Sequence, residues 1–97
     1  MARTLVSVII PTFNEEKNIE FCLKSVSWAD EIIVVDGGST DRTCEIAKQF
    51  TPHILAVGNS PAETQRLKGI DKIRNDWFLL LDADERISPN LAEQIKE

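Results

Sequence analysis

The sequence predicts an α/β fold in which helices cover both faces of a mostly parallel sheet. Short apolar runs rich in β-branched residues recur along the chain, alternating with stretches whose apolar residues return at helical spacing. The runs are oily throughout instead of alternating with polar residues, the pattern of strands buried from both sides. Turn residues such as Pro, Gly and Asp close the runs, and helix-start signals follow. The chain of 97 residues is read as one domain, 1–97, near the size at which a single core suffices.

Leu5-Val6-Ser7-Val8-Ile9-Ile10 is the first strand, and Pro11, which has no N–H to give to a ladder, is expected to end it. From Glu16 onward Ile19, Cys22, Leu23 and Val26 trace one helical face, with Glu15 and Glu16 where a helix start favours negative charge. Glu31 to Val35 is the second strand, cut by Asp36-Gly37-Gly38. Ser39, Thr40 and Asp41 are the candidate caps of a second helix that carries Ile46, Ala47 and Phe50. His53 to Val57 makes a weaker third strand. Ser60-Pro61-Ala62-Glu63 then combines capping-box spacing with proline at the first helical position. The helix it starts runs through Arg66 and Ile70 to Ile73, with Gly69 allowing close packing. Trp77 to Leu81 is the fourth strand, and Ser88-Pro89 repeats the helix-start device.

Composition narrows the function classes. With 42% apolar and 28% charged residues the chain is of the soluble globular type, and its apolar runs are strand-sized, too short to cross a membrane. Leu5 to Ile10 is also too short and too interrupted for the apolar centre of a signal peptide, so a cytoplasmic location is expected. The net charge of −5 disfavours nucleic acid and anionic membranes as direct partners. Cys22 and Cys44 have no Cys-x-x-Cys spacing and read as buried thiols. An anionic ligand would need a divalent cation or a concentration of hydrogen-bond donors.

In an open α/β sheet, ligands bind outside the carboxyl ends of the strands. That rule gathers Pro11-Thr12-Phe13-Asn14-Glu15, Asp36 to Asp41, and Asp82-Ala83-Asp84 onto one rim. Taken singly, Asp36 beside two glycines is an ordinary turn and Asn14 an ordinary cap. Asp82 and Asp84 differ, because carboxylates two apart at the end of a buried strand point to the same side. Two such charges about 4 Å apart repel by about 4 kcal/mol at an effective dielectric of 20. A third at Asp36 adds to this, and a hard cation, Mg²⁺ or Mn²⁺, would relieve it while bringing phosphates with it.

The segments SVIIPTFNEE, EIIVVDGGSTDRT and LLLDADE, in this order and spacing, resemble the nucleotide-binding half of family 2 glycosyltransferases of the GT-A fold. WADEIIVVDGGSTDRT is similar to the subgroup associated with bacterial lipopolysaccharide core sugars, a cell envelope role. The resemblance implies a Rossmann-like sheet of strand order 3-2-1-4, a truncated GT-A domain, and a nucleotide diphosphate sugar, with uridine expected, as donor. It implies that Pro11, Thr12, Asn14, Glu15 and Asp36 hold base and ribose, that Asp82 lies near ribose and metal, and that Asp84 is a metal ligand. Arg66 and Gly69 match an Arg-Asn-x-Gly pattern whose Arg reaches the nucleotide, although Leu67 stands where that pattern has Asn. Gly37 replaces an acid common in the wider family.

The same resemblance implies a metal-assisted, inverting transfer in which a carboxylate takes the acceptor's proton. It assigns that base to a region after the D-x-D segment, so it is expected beyond Glu97, and Glu85 is too close to the aspartate pair to serve. The competing reading is a module that binds a nucleotide or nucleotide sugar without turnover. A phosphatase-like or nucleotidyltransferase relative ranks lower, since the first strand leads into PTFNEE and neither into D-x-D nor into a glycine-rich loop. With order 3-2-1-4 the fourth strand is an oily edge, which predicts a homo-oligomer paired through it.

Overall fold

The computed structural model describes residues 5–58, 68–70, 73, 75 and 77–96. Among the described residues the elements run in the order β1 (Val6–Thr12), α1 (Ile19–Ser25), β2 (Glu31–Asp36), α2 (Thr43–Ala47), β3 (Ile54–Ala56), β4 (Trp77–Leu80) and α3 (Pro89–Lys96), with residues 68–70 also helical. The strands form one sheet in the order β3-β2-β1-β4, and every pairing is parallel.

All seven residues of β1 are buried, as a central strand demands. Its side chains alternate between two cores. Val6, Val8 and Ile10 face Ile19, Cys22 and Leu23 of α1, with Val26, Ala47 and Ala92 completing that side. Ile9 shares the other side with Ile33 and Val35, against which Leu55, Val57, Ile70 and Ile73 pack. The expectation of close packing at Gly69 is met there. A Cβ on Gly69 would lie 2.5 Å from Ile9 Cγ2 and 3.0 Å from Val35 Cγ2, so only glycine lets this backbone sit on the sheet.

Three expectations change. Pro11 does not end β1, which runs on to Thr12 with Pro11 opposite Val35. In a strand, N–H and C=O of one residue point to the same neighbour and successive residues alternate. Ile9 O accepts from Leu81 N at 3.0 Å on the β4 side, while Thr12 O accepts from Gly37 N at 2.9 Å on the β2 side. Pro11 therefore turns its nitrogen to the β4 side, where pairing has stopped at Ile9 with Leu80, and no ladder bond is lost.

The fourth strand lies at the sheet's edge as expected from the order 3-2-1-4, but it is not buried from both sides. Trp77, Phe78 and Leu80 are 67%, 45% and 39% exposed, because β4 lies at the sheet's edge and only Leu79 joins the core from within the strand. The helices are also shorter than expected. α1 begins at Ile19 after a turn in which Glu15 O accepts from Asn18 N and Ile19 N, and α2 ends at Ala47, leaving Phe50 in a turn bonded to Ala47 O. The start of the expected third helix at Ser60-Pro61, together with Arg66, lies outside the described residues. α3 starts at Pro89 as expected, with Leu91 N donating to Ser88 Oγ at 3.1 Å.

Candidate functional site

Parallel pairing of β1 with β2 sets Thr12 opposite Asp36, so the loops that follow the two strands emerge side by side. They are laced together. Thr12 Oγ1 donates to Asp36 Oδ1 at 3.1 Å, and Asn14 N donates to Ser39 Oγ at 2.8 Å. Thr40 N donates to Asn14 Oδ1 at 2.8 Å, Glu15 N to Thr43 Oγ1 at 2.8 Å, and Glu16 N to Asp41 Oδ2 at 3.2 Å. Asn14 takes a left-handed φ of 52°, which its short polar side chain tolerates and which turns the first loop toward the second.

Asp36, only 4% exposed, is the hub of the second loop. Its Oδ1 also accepts the Ser39 hydroxyl at 2.6 Å, and its Oδ2 accepts Gly38 N at 3.0 Å and Ser39 N at 2.9 Å. Burial alone would raise its pKa, but the Ser39 hydroxyl and amide, the Gly38 amide and the Thr12 hydroxyl outweigh this and hold it below the ordinary carboxylate value. None of the three candidate caps is the N-cap of α2, which is Arg42; Asp41, one residue earlier, accepts Thr43 N at 3.0 Å and the Thr43 hydroxyl at 2.5 Å. Ser39 and Thr40 are taken up by the lacing instead.

The third group follows β4. Leu81 and Ala83 are buried while Asp82 and Asp84 are exposed, the alternation expected of two carboxylates on one side. Glu85 N donates to Asp82 O, and Asp82 N to Glu85 Oε1, each at 2.9 Å, which closes the turn. α1 holds this turn in place. Cys22 Sγ donates to Asp82 O at 3.7 Å, Ile87 N donates to Ser25 Oγ at 3.0 Å, and the Arg86 guanidinium lies 4.9 Å from the centre of the Phe21 ring. Burial pushes the Cys22 thiol up to about 12, with Glu85, Asp84 and, more weakly, Glu15 adding to the rise.

Pro11, Thr12, Asn14, Glu15 and Asp36 are therefore brought together on paired loops, Asp82 and Asp84 stand on a turn anchored to α1, and Arg66 is outside the described residues. The relief expected for Asp36 from a shared cation is already supplied by protein donors. Among the described residues no three His, Cys, Asp or Glu side chains are grouped as a metal set. Asp82 and Asp84 do fit a cation of the Mg²⁺ or Mn²⁺ kind on the chemistry of their oxygens, since such ions bind through one or two carboxylates plus phosphate. Glu15 Oε2 is buried and has no hydrogen-bond partner among the described residues, a vacancy that a ligand donor would satisfy. Phe13, placed on the rim by the sequence but given no role there, stands 53% exposed between Thr12 and Asn14. The signal was available, an aromatic residue in an otherwise polar loop. A cavity of about 250 Å³ lined by Ile32, Phe50, Thr51 and His53 lies at the amino end of β2, away from the rim that carries the acids.

Residues 7–97 match the family described as "Glycosyl transferase family 2". The "Uncharacterized glycosyltransferase YibD" of Escherichia coli K12 is 34% identical over 99 residues, covering 93% of this chain and 29% of that protein. The crystal structure of S. aureus TarS 1-349 superposes with a TM-score of 0.84 at 25% identity, over 95% of this chain and 31% of that one. Glucosyl-3-phosphoglycerate synthase from Mycobacterium tuberculosis, in complex with Mn²⁺ and uridine-diphosphate-glucose, gives a TM-score of 0.73 at 29% identity, over 86% of this chain and 34% of that one. The chain thus spans about a third of the length of the proteins it resembles.

Proposed function

Because the chain belongs to glycosyl transferase family 2, we propose that its rim is the donor site of an enzyme that moves a sugar from a uridine diphosphate sugar to an acceptor hydroxyl. The observation that carries the reading is Glu15 Oε2, buried and without a partner among the described residues, beside two interlocked loops at the strand carboxyl ends. A ribose hydroxyl or uracil N–H is a donor of the kind that oxygen lacks. Exposed Phe13 offers a flat apolar face for the base, and Pro11, Thr12 and Asn14 fix where that face stands. Support from outside the chain comes from the synthase, solved with Mn²⁺ and UDP-glucose, and from TarS, solved with UDP.

On this reading Asp82 and Asp84 hold Mg²⁺ or Mn²⁺, with Asp82 also near the ribose and Arg66 reaching toward the nucleotide. The ion, when bound, offsets charge on the departing diphosphate. The acceptor oxygen bonds to the anomeric carbon as its proton passes to a carboxylate base, the bond from that carbon to the diphosphate oxygen breaks, and UDP leaves with its electron pair. Titration calorimetry with UDP and Mn²⁺ is the test. Saturable binding weakened by a chelator is expected, and equal affinity with chelator present would remove the metal from the account.

The outer edge of β4, which carries no further strand among the described residues, is assigned to pairing with a second copy of this chain. Residues Trp77–Leu80 bear no charge, so a two-fold antiparallel contact opposes no like charges. Light scattering at micromolar concentration is expected to read twice the mass of one chain, and a single-chain mass would end the idea.

A further inference from the structure

We propose that Ser39 is a positioning residue for nucleotide binding, and that it acts by making Asp36 a tie between the two loops rather than a direct ligand contact. The inference rests on the donor-site reading above. A carboxylate offers about four lone-pair sites. Asp36 uses two oxygens for four protein donors, namely the Thr12 hydroxyl, the Ser39 hydroxyl, and the amides of Gly38 and Ser39. A nucleotide donor arriving there would have to displace one of them.

Ser39 is the only one of these residues whose side chain also reaches across to the first loop's backbone. Its Oγ donates to Asp36 at 2.6 Å and accepts from Asn14 N at 2.8 Å, so one hydroxyl joins a buried carboxylate to the backbone of the loop that carries Phe13 and Glu15. Gly38, at φ 101°, takes a conformation that favours glycine, and this lets two consecutive amides reach one oxygen. The left-handed Asn14 depends on the same link, since its amide and its Oδ1 are both spent on the second loop. Removing the Ser39 hydroxyl frees Asn14 N and loosens the first loop at the residue between Phe13 and Glu15, without removing any side chain assigned to the ligand.

The variants Ser39→Ala and Ser39→Thr separate positioning from direct contact. Ser39→Ala is expected to weaken UDP binding in the presence of Mn²⁺ about tenfold, in the range of one lost charge-assisted hydrogen bond. Ser39→Thr, which keeps the hydroxyl, is expected to return the affinity to within about twofold. In the ligand-free protein, hydrogen exchange at the amides of Asn14 and Glu15 should quicken in Ser39→Ala and not in Ser39→Thr. Unchanged exchange in Ser39→Ala overturns the proposal whether or not UDP binds. UDP affinity equal to wild type in Ser39→Ala also overturns it. If the wild-type chain binds no UDP, the donor-site reading fails by itself and the exchange result alone decides the role of Ser39.

Discussion

Replacing Thr43 by valine tests the lacing of the two loops through stability. Thr43 is fully buried, and its hydroxyl accepts from Glu15 N at 2.8 Å while donating to Asp41 Oδ1. Valine keeps the shape and removes both bonds. Asp41 keeps Thr43 N and Glu16 N as donors and faces solvent, so its loss is small. Glu15 N is left in a partly buried setting without its acceptor, and an unsatisfied buried donor costs about 1–3 kcal/mol. Serine is the control, because it keeps the hydroxyl and gives up one buried methyl group, worth about 1 kcal/mol. Urea unfolding followed by Trp28, whose indole N–H donates to Ser25 O at 2.9 Å, reads the difference. With a slope of about 1 kcal/mol per molar for a chain of this size, Thr43→Val should lower the midpoint by about 1–3 M. A Thr43→Val protein as stable as the wild type would refute the reasoning, since the isosteric change would then show that the hydroxyl contributes nothing.

Other outcomes follow from the same structure. Gly69→Ala should cost about 1–3 kcal/mol, because its methyl would fall 2.5 Å from Ile9 Cγ2, and thermal unfolding measures it. Asp36, held below its ordinary 3.8, contributes stability that is present above that value and lost as pH falls through its folded pKa, so Asp36→Asn should flatten the acid unfolding curve in that window. Cys22 shifts the opposite way, from 9.0 to about 12, so the folded state keeps a proton that the unfolded state gives up. Stability should therefore fall as pH rises between those values, and iodoacetamide at pH 8 should label Cys22 only after denaturation. Asp84→Asn should remove most of the gain in UDP affinity that Mn²⁺ brings, measured by calorimetry with and without the ion, while leaving unfolding by urea nearly unchanged.

The order of elements, the parallel sheet and the close approach at Gly69 were legible because they rest on local periodicity and on the bulk of single residues. The gathering of Thr12, Asn14 and Asp36 was legible because adjacent parallel strands must place their following loops together. The reach of β1 through Pro11 was not, since it depends on β4 ending before Pro11, which no local pattern encodes. The edge place of the fourth strand was expected from the order 3-2-1-4, but the exposure of Trp77, Phe78 and Leu80 was not, as an apolar run does not show whether its faces are covered. Asp36 was read as a third charge beside the Asp82 and Asp84 pair, and its four hydrogen bonds were not foreseen. Those partners lie within three residues of Asp36 or one strand away, and only the loop conformation turns them toward it.

Paramagnetic broadening by Mn²⁺ tests most directly whether the strand-end rim takes a metal-bound uridine diphosphate. With UDP present, substoichiometric Mn²⁺ should broaden the backbone amide signals of residues 82–85 and 13–16 together, and with Mn²⁺ alone the effect should be far weaker. Broadening that ignores UDP, or that centres on residues around His53 at the opposite end of β2, would contradict the account.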